Sequence, residues 1–201
     1  MEFSEVVRRR RMVRRFDGTP VAREVVERLL RNAVRGPSAG FSQGFAFVVL
    51  EGEKQTRPFW DAVLDPEWEG GGWRTAPVVV VPLSNKQAYL DRYSRPDKEF
   101  LGMGEESAWP VPYWDIDAAF ATMLLLLSVV EEGLGAVFCG IFKGEREALH
   151  ALGVPESYRA IGAVALGHRA PDEHSRPSWK GGRKPFEEVV HFGRWSADDV
   201  R

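Results

Sequence analysis

The sequence predicts one α/β domain in which helices pack on a central sheet. Residues 76–83 form a continuous apolar run of the kind found in a strand buried on both faces. Apolar residues recur at helical spacing from Val21 to Val34, and Gly36 supplies the stop, so a helix is expected there. Residues 115–132 are apolar on nearly every face, which is typical of a helix at the centre of a fold or at a subunit interface.

The other elements follow the same alternation along the chain. A short helix is expected around residues 3–7, and then a strand over 44–51, which is rich in β-branched and aromatic residues. Further predicted elements are helices over 53–64 (interrupted early by Pro58) and 86–93, a strand over 136–141, a helix over 145–152 and a strand over 158–167. Two segments are predicted to be irregular, the glycine-rich loop 65–75 and the insertion 94–112.

Composition restricts the classes of function. With 201 residues, 44% hydrophobic and 28% charged, the chain is long enough to bury one sizeable core and too short for two large domains. Its net charge of −2, from 27 basic and 29 acidic side chains, gives no global sign of nucleic-acid or membrane-surface binding. The longest uncharged, mostly apolar run, 118–130, is shorter than the roughly 20 residues that cross a bilayer, so a buried helix is predicted.

Redox, metal and targeting signals are few. The single cysteine, Cys139, excludes an internal disulfide framework and any C-x-x-C motif, and it is expected to be a small buried hydrophobe. Known metal-ligand spacings do not occur, so no metal site is predicted. The N-terminal segment lacks the apolar stretch and cleavage site of a secretory signal, and the expected location is the cytoplasm.

The segment Gly40-Phe-Ser-Gln-Gly44 matches the G-x-S-x-G pattern that exposes a serine nucleophile in many hydrolases. Such a nucleophile sits on a turn from a strand into a helix, whereas this loop is predicted to run from a helix into a strand. No acid followed by a histidine stands out downstream. Ser42 is therefore not predicted to be a nucleophile.

Six arginines lie among the eight residues 8–15. One interpretation is a solvated basic turn, or an arm that touches nucleic acid or lipid phosphate. The other is that two or three of these side chains converge on one small phosphate, because guanidinium groups match phosphate oxygens bidentately. Met12, Val13 and Phe16 interleave with the charges, which indicates that part of the segment is anchored in a core.

A second basic stretch lies far away in sequence. It contains Lys180, Arg183 and Lys184 around two glycines, and it could form another phosphate grip. Taken alone, it is more typical of an ordinary basic surface turn.

Four stretches together carry a resemblance over nearly the whole chain. They are RRRRMVRRF, PSAGFSQGF, the segment DAAFATMLLLLSVVEEGLGAVFCGIF, and the tail VALGHR with GGRKPFEEVVHFGRW. In this order they resemble the FMN-dependent nitroreductase family. The resemblance implies an α+β fold with a central mixed sheet flanked by helices, and an intertwined homodimer with two FMN sites at the subunit interface. It also implies ping-pong transfer of hydride from NADH or NADPH to a flat acceptor such as a nitroaromatic or quinone.

The same resemblance predicts how the chain is organised. Residues 1–201 are expected to form a single FMN-binding domain. Within it, residues 94–114 are expected to be a variable insertion on the substrate side, and residues 170–201 a C-terminal extension. The aromatic residues of the insertion, Trp109, Tyr113 and Trp114, are expected either to stack on the substrate or to form local core.

One group of residues is assigned by the resemblance to the phosphate, ribityl chain and ring edge of FMN. Arg10 and Arg11 match the pair that begins the phosphate and ribityl grip. Arg14 matches the cation beside the pyrimidine edge, where it would stabilise the reduced ring because guanidinium stays charged at any working pH. Arg183 matches the C-terminal phosphate ligand, with Lys180 as an assisting cation.

A second group is assigned to the flavin ring. The residues that match the loop laid by one subunit along the flavin of the other are Pro37, Ser38, Ala39 and Gly40. Gln43 matches the glutamine that follows this loop. Gly140 and Ile141 match the strand end whose main chain approaches flavin N5, and Gly140 lacks a side chain that would block that approach.

The chain departs from the family pattern at three places. Met12, within the cofactor-binding set, replaces the usual serine and leaves more of the phosphate binding to arginine and main-chain N–H groups. Phe41 replaces the usual asparagine, and Gly44-Phe45 replaces Pro-Trp. These changes alter the polar contacts that the resemblance implies with the flavin.

Three hypotheses about function follow. The first is an FMN-dependent oxidoreductase that reduces a small aromatic or quinone-like substrate and binds neither nucleic acid nor membranes. The second is a protein of the same fold with other flavin chemistry, such as reductive dehalogenation or flavin fragmentation. The third is a non-enzymatic anion or nucleic-acid binder that uses residues 8–15.

Overall fold

A computed structural model describes residues 1–65, 70–174 and 182–195 of the chain. Across these ranges the helices are α1 Phe3–Arg9, α2 Arg23–Ala33, α3 Glu53–Val63, α4 Lys86–Tyr93, α5 Tyr113–Glu131, α6 Glu145–Ala151 and α7 Phe186–Val189. The strands are β1 Phe45–Glu51, β2 Val78–Ser84, β3 Gly135–Cys139, β4 Arg159–Ala160 and β5 Ala163–Gly167. The interleaving of helices and strands confirms the predicted α+β class.

The strands form one sheet with the order β1-β2-β5-β3, and β4 pairs with β2 beside β5. Each pairing between these strands is antiparallel. Within the described residues, the parallel component of the predicted mixed sheet is an isolated bridge between Met12 and Ala136. This bridge attaches the arginine run to the edge strand β3.

Strand β2 lies at the centre of the sheet, and all seven of its residues are buried, as the apolar run predicted. Side chains alternate between the two faces of a strand. Val79 and Val81 therefore enter a core with residues of α3 and α6, whereas Val78 and Val80 enter a core with residues of α2 and α5. The continuous run of apolar residues follows from this burial on both faces.

Two predicted elements differ in the structure. Helix α3 continues through Pro58, and Trp60 and Val63 beyond the proline are buried. Proline removes one N–H donor, and the packing of the helix offsets that loss. The predicted strand 158–167 is divided into β4 and β5, because Ile161 donates its N–H to the Pro82 carbonyl (3.0 Å) and Gly162 adopts a φ of 153°.

The insertion 94–112 is irregular, as predicted, with short 3-10 turns at Glu99–Leu101 and Glu106–Ala108. Trp109 and Trp114 are buried in an aromatic cluster with Tyr89 and Tyr93, so these two tryptophans form local core. The ring centroids of Trp109 and Tyr93 are 4.8 Å apart.

Helix α5 is the central helix of the fold. It packs on α2 and on β2, β3 and β1. By length and composition alone it could cross a membrane, and half of that stretch is buried inside the chain. Its exposed apolar side chains include Phe120 and Met123.

Candidate functional site

The arginine run leaves α1 and is anchored on the edge of the sheet. Val13 donates its N–H to the Ala136 carbonyl at 2.8 Å, directly after the Met12 bridge. Val13 and Phe16 are buried. The predicted anchoring of this segment in a core is therefore confirmed, and the arginines between the anchors have defined positions.

Several arginines of the run are neutralised by nearby carboxylates. Arg9 pairs with Glu5 at 2.5 Å, and Arg15 pairs with Asp172 at 2.6 Å. Arg11 is different, because its Nη1 donates to the carbonyls of Arg8 (2.7 Å) and Arg10 (2.9 Å). The arginine run thus contains two kinds of side chain. Arg9 and Arg15 form ion pairs with carboxylates, whereas Arg11 donates to main-chain carbonyls.

Arg10 lies where the two basic stretches of the chain meet. Burial lowers the pKa of Arg10, and the positive charges of Arg183 and Arg11 lower it further. Arg10 Nη1 is buried and has no hydrogen-bond acceptor among the described residues. Cations that are brought together and partly desolvated favour an anion between them. The folded chain therefore places Arg11 and Arg183 close enough to Arg10 to act on its charge. Their joint binding of one phosphate stays a prediction, and Lys180 lies outside the described residues.

Arg14 is held by the segment that follows β5. Its backbone N–H donates to Glu173 Oε1 at 3.3 Å, and its Nη1 donates to the Met12 carbonyl at 3.3 Å. The Arg15 carbonyl accepts the N–H of Ala170 at 3.1 Å. Both the side-chain direction and the main chain of Arg14 are thereby constrained.

Gly140 and Ile141 directly follow β3, the strand that carries the Met12 bridge at its other end. A Cβ on Gly140 would lie 2.8 Å from Cζ of Phe142, so this phenylalanine ring lies beside the glycine. The Phe142 side chain is 96% exposed, which is unusual for a large apolar residue. Ile141 packs against the core.

Cys139, the last residue of β3, is buried, as predicted. Burial raises the pKa of its thiol to about 12. Its Sγ donates to the Ala163 carbonyl at 3.4 Å. A buried thiol that stays protonated is a poor nucleophile, so the structure offers no redox role for it.

The loop 37–43 connects α2 to β1, the helix-to-strand direction that argued against a nucleophilic serine. Ser42 Oγ donates to the Ala39 carbonyl at 2.6 Å, which closes the turn. Gln43 donates its N–H to Ser38 Oγ at 2.9 Å. Phe41 and Gln43 adopt φ values of 56° and 49°, a region that residues other than glycine rarely enter.

Within the described residues, no hydrogen bond or ion pair connects loop 37–43 to Arg10, Arg14 or Gly140. The loop and the arginine segment are therefore not directly bonded to each other within the described chain. The structure brings Arg10, Arg11 and Arg183 together, and it places the loop beside the N-terminal half of α5.

The volumes of the clefts do not identify the predicted site. A cleft of about 810 Å³ is lined by residues of α3 and by the ion pair between Arg74 and Asp61. A cleft of about 500 Å³ lies beside the loop and is lined by residues that include Phe41, Gln43 and Arg95. The proximity of Arg11 and Arg183 to Arg10 is the stronger indication, because like charges near a buried guanidinium nitrogen favour a bound anion whereas an open cleft does not.

Sequence reasoning missed three residues that hold the loop, namely Tyr89, Arg92 and Asp117. Asp117 accepts the Ala39 N–H at 2.8 Å, and Arg92 Nε donates to the Gly40 carbonyl at 2.9 Å. Asp117 could have been singled out from the sequence, because it is a carboxylate within a helix that is otherwise almost entirely apolar.

The chain thus combines an α+β fold with an arginine segment that is bridged to the edge strand β3. The chain belongs to the nitroreductase family, whose model matches residues 7–168.

Relatives agree with this membership over nearly the whole chain. An NADPH-dependent oxidoreductase of Staphylococcus aureus (strain USA300) is 23% identical over 196 residues, 96% of this chain and 74% of the relative. A nitroreductase family protein from Clostridium difficile 630 has a TM-score of 0.74 at 19% identity, covering 97% of this chain and 100% of its own. A structure described as a nitroreductase in complex with FMN, from Exiguobacterium sibiricum 255-15, has a TM-score of 0.74 at 19% identity, with coverages of 96% and 97%.

Proposed function

We propose that the chain is an FMN-dependent oxidoreductase that transfers hydride from NADH or NADPH to a flat acceptor such as a nitroaromatic or quinone. The observation that carries this proposal is the convergence of Arg10, Arg11 and Arg183, with one buried Arg10 nitrogen lacking an acceptor. The relatives support the redox chemistry, since one is an NADPH-dependent oxidoreductase and another was solved with FMN.

The three arginines would bind the phosphate of FMN. A phosphate monoester carries up to two negative charges and accepts bidentate bonds from guanidinium groups. Met12 contributes no hydroxyl, because its side chain is a thioether, and that side chain packs against the cores on both faces of the sheet. We assign Met12 a main-chain role, and Lys180 remains an assisting cation by family resemblance.

Arg14 and the end of β3 would face the ring. The bound flavin supplies the hydride chemistry, and the protein supplies position and electrostatics. Arg14, fixed by Glu173 and by the Met12 carbonyl, would place a permanent positive charge at the pyrimidine edge. Gly140 and Ile141 would present their main chain to the ring, and an added methyl group at Gly140 would displace the Phe142 ring.

The loop residues Pro37, Ser38, Ala39, Gly40 and Gln43 would complete the site of a second copy of the chain. The separation of the loop from the arginines within one protomer supports this arrangement. Phe120 and Met123 on α5 and Phe3 on α1 are exposed apolar side chains that a homodimer would cover. Residues 94–114, by their place in the family, would shape the substrate side.

Purification and turnover test the proposal. The protein is expected to be yellow with about one FMN per chain, and to oxidise NADH or NADPH when a quinone or nitroarene is supplied. A colourless protein that cannot be reconstituted with FMN would contradict the flavin assignment. A protein that retains flavin without turnover of such acceptors would favour dehalogenation or flavin-fragmentation chemistry instead.

A further inference from the structure

Asp117 is a buried carboxylate that joins three parts of the structure. It lies on α5 with only 3% of its surface exposed. Its Oδ2 accepts the N–H of Ala39 at 2.8 Å and the hydroxyl of Tyr89 at 2.7 Å. Burial and the bond to Asp117 raise the pKa of Tyr89, so this hydroxyl remains a donor. Loop 37–43, α4 and α5 are thus connected through one oxygen atom.

Helix α4 holds the same loop from its other side. Arg92 Nε donates to the Gly40 carbonyl at 2.9 Å, and the Arg92 guanidinium is itself held by Asp97 at 2.9 and 2.7 Å. Gly40 lies against the ring of Tyr93, where an added Cβ would lie 2.7 Å from Cε2. The close approach of loop and helix therefore requires glycine at position 40.

The loop adopts a backbone conformation that costs free energy. Phe41 and Gln43 have φ values of 56° and 49° although neither is glycine. Such conformations persist only where the surroundings hold them, and they concentrate at functional sites. The bonds to Asp117 and Arg92 tie this strained backbone to the helices.

We propose that Asp117, with Tyr89, is a positioning residue that holds loop 37–43 in the shape that receives the flavin of the partner subunit. This inference rests on the proposed function, because it assumes that the loop contacts FMN. A loop that is already in the binding conformation does not pay the ordering cost when the ligand arrives. If the anchor is lost, the binding-competent fraction falls, and the apparent Kd rises in inverse proportion.

Substitutions at Asp117 test the role directly. Asp117→Leu removes the acceptor with a side chain of the same branching but larger volume, and we expect the Kd for FMN, measured by quenching of flavin fluorescence, to rise about tenfold or more. Asp117→Asn retains an oxygen for both donors, so its Kd should stay within about twofold of wild type. Amide hydrogen exchange at residues 39–43 should accelerate in the leucine variant and not in the asparagine variant.

Asp115 provides a matched control on the same helix. It accepts hydrogen bonds from Ser84 (2.7 Å) and from Arg159, and none from the loop. Asp115→Leu is expected to lower Tm while leaving the Kd for FMN and loop exchange near wild type. If both leucine variants raised the Kd in proportion to the Tm they lose, or if asparagine failed to restore binding, Asp117 would be only structural.

If Asp117→Leu does not fold, Tyr89→Phe provides a second test of the same role. It removes one donor and keeps the bond between Ala39 and Asp117, so a smaller rise in Kd with faster loop exchange is expected. Unchanged binding and unchanged exchange would overturn the positioning role. A wild-type chain that binds no FMN would overturn the proposed function as well, whereas variants that bind like wild type would overturn only the role of Asp117.

Discussion

Arg183 lies close enough to Arg10 for its positive charge to lower the pKa of Arg10. The two residues come from opposite ends of the chain, and one Arg10 nitrogen is buried without an acceptor in the described structure. Like charges that lower each other's pKa destabilise each other, and a bound anion would offset this effect. In the proposed FMN site, the phosphate group is therefore the part of the ligand whose recognition can be tested most sharply.

Arg183→Met is expected to weaken FMN binding about ten- to hundredfold, because a hydrogen bond to a charged group contributes roughly 1.5–3 kcal/mol. Riboflavin, which lacks the phosphate, should bind the variant and the wild type equally. Fluorescence titration with both ligands measures this. Arg31→Met, at an exposed arginine of α2, is the matched control. Equal losses of FMN and riboflavin affinity would place Arg183 elsewhere than at the phosphate.

Arg14→Met is expected to lower the midpoint potential of the bound flavin by about 20–45 mV. A cation at the pyrimidine edge stabilises the reduced ring, and a net loss of about 1–2 kcal/mol is reasonable after solvent screening of a contact worth roughly 4 kcal/mol. Redox titration under saturating FMN measures the shift. Arg183→Met should leave the potential nearly unchanged, because the phosphate lies far from the ring. The reverse pattern would show that the two roles are exchanged.

Phe120→Asp is expected to dissociate the proposed dimer and to release FMN with it. An unpaired carboxylate in an apolar interface costs several kcal/mol, so the dimer dissociation constant should rise at least about a hundredfold. Light scattering and flavin content, measured over a dilution series, test both effects together. Phe100→Asp, at a phenylalanine exposed in the insertion, is the control. A monomer that keeps FMN tightly at high dilution would contradict the shared site.

Cys139 is expected to resist thiol reagents at pH 8 in the folded protein and to react fully after unfolding. Burial raises the pKa of the thiol to about 12, above the value of about 8.5 for an exposed cysteine. The contribution of this group to stability is therefore complete below about pH 8.5 and is lost as pH rises toward 12. Labelling followed by mass spectrometry, with the denatured chain as control, measures this. Rapid labelling of the native chain would contradict the burial.

The local sequence pattern was sufficient to predict the elements whose side chains are buried with a regular period. The apolar run of β2, the helical spacing of α2 and the apolar faces of α5 predicted these elements, because side-chain periodicity reports directly which faces are buried. The apolar residues within the arginine run likewise indicated an anchored segment. The sequence pattern gave wrong predictions at Pro58, where the helix continues, and at Gly162, where the predicted strand is divided. At both positions tertiary packing outweighs the local preference of the residue.

Sequence pattern is enough to predict the α+β class and to name the cations that could bind an anion. Which of these cations lie near one another depends on the tertiary structure. The convergence of Arg10 with Arg183, and the bond from Ala39 to Asp117, join segments far apart in the chain. Such contacts depend on the order of strands in the sheet and on the packing of α4 and α5, which no periodicity within a single segment encodes.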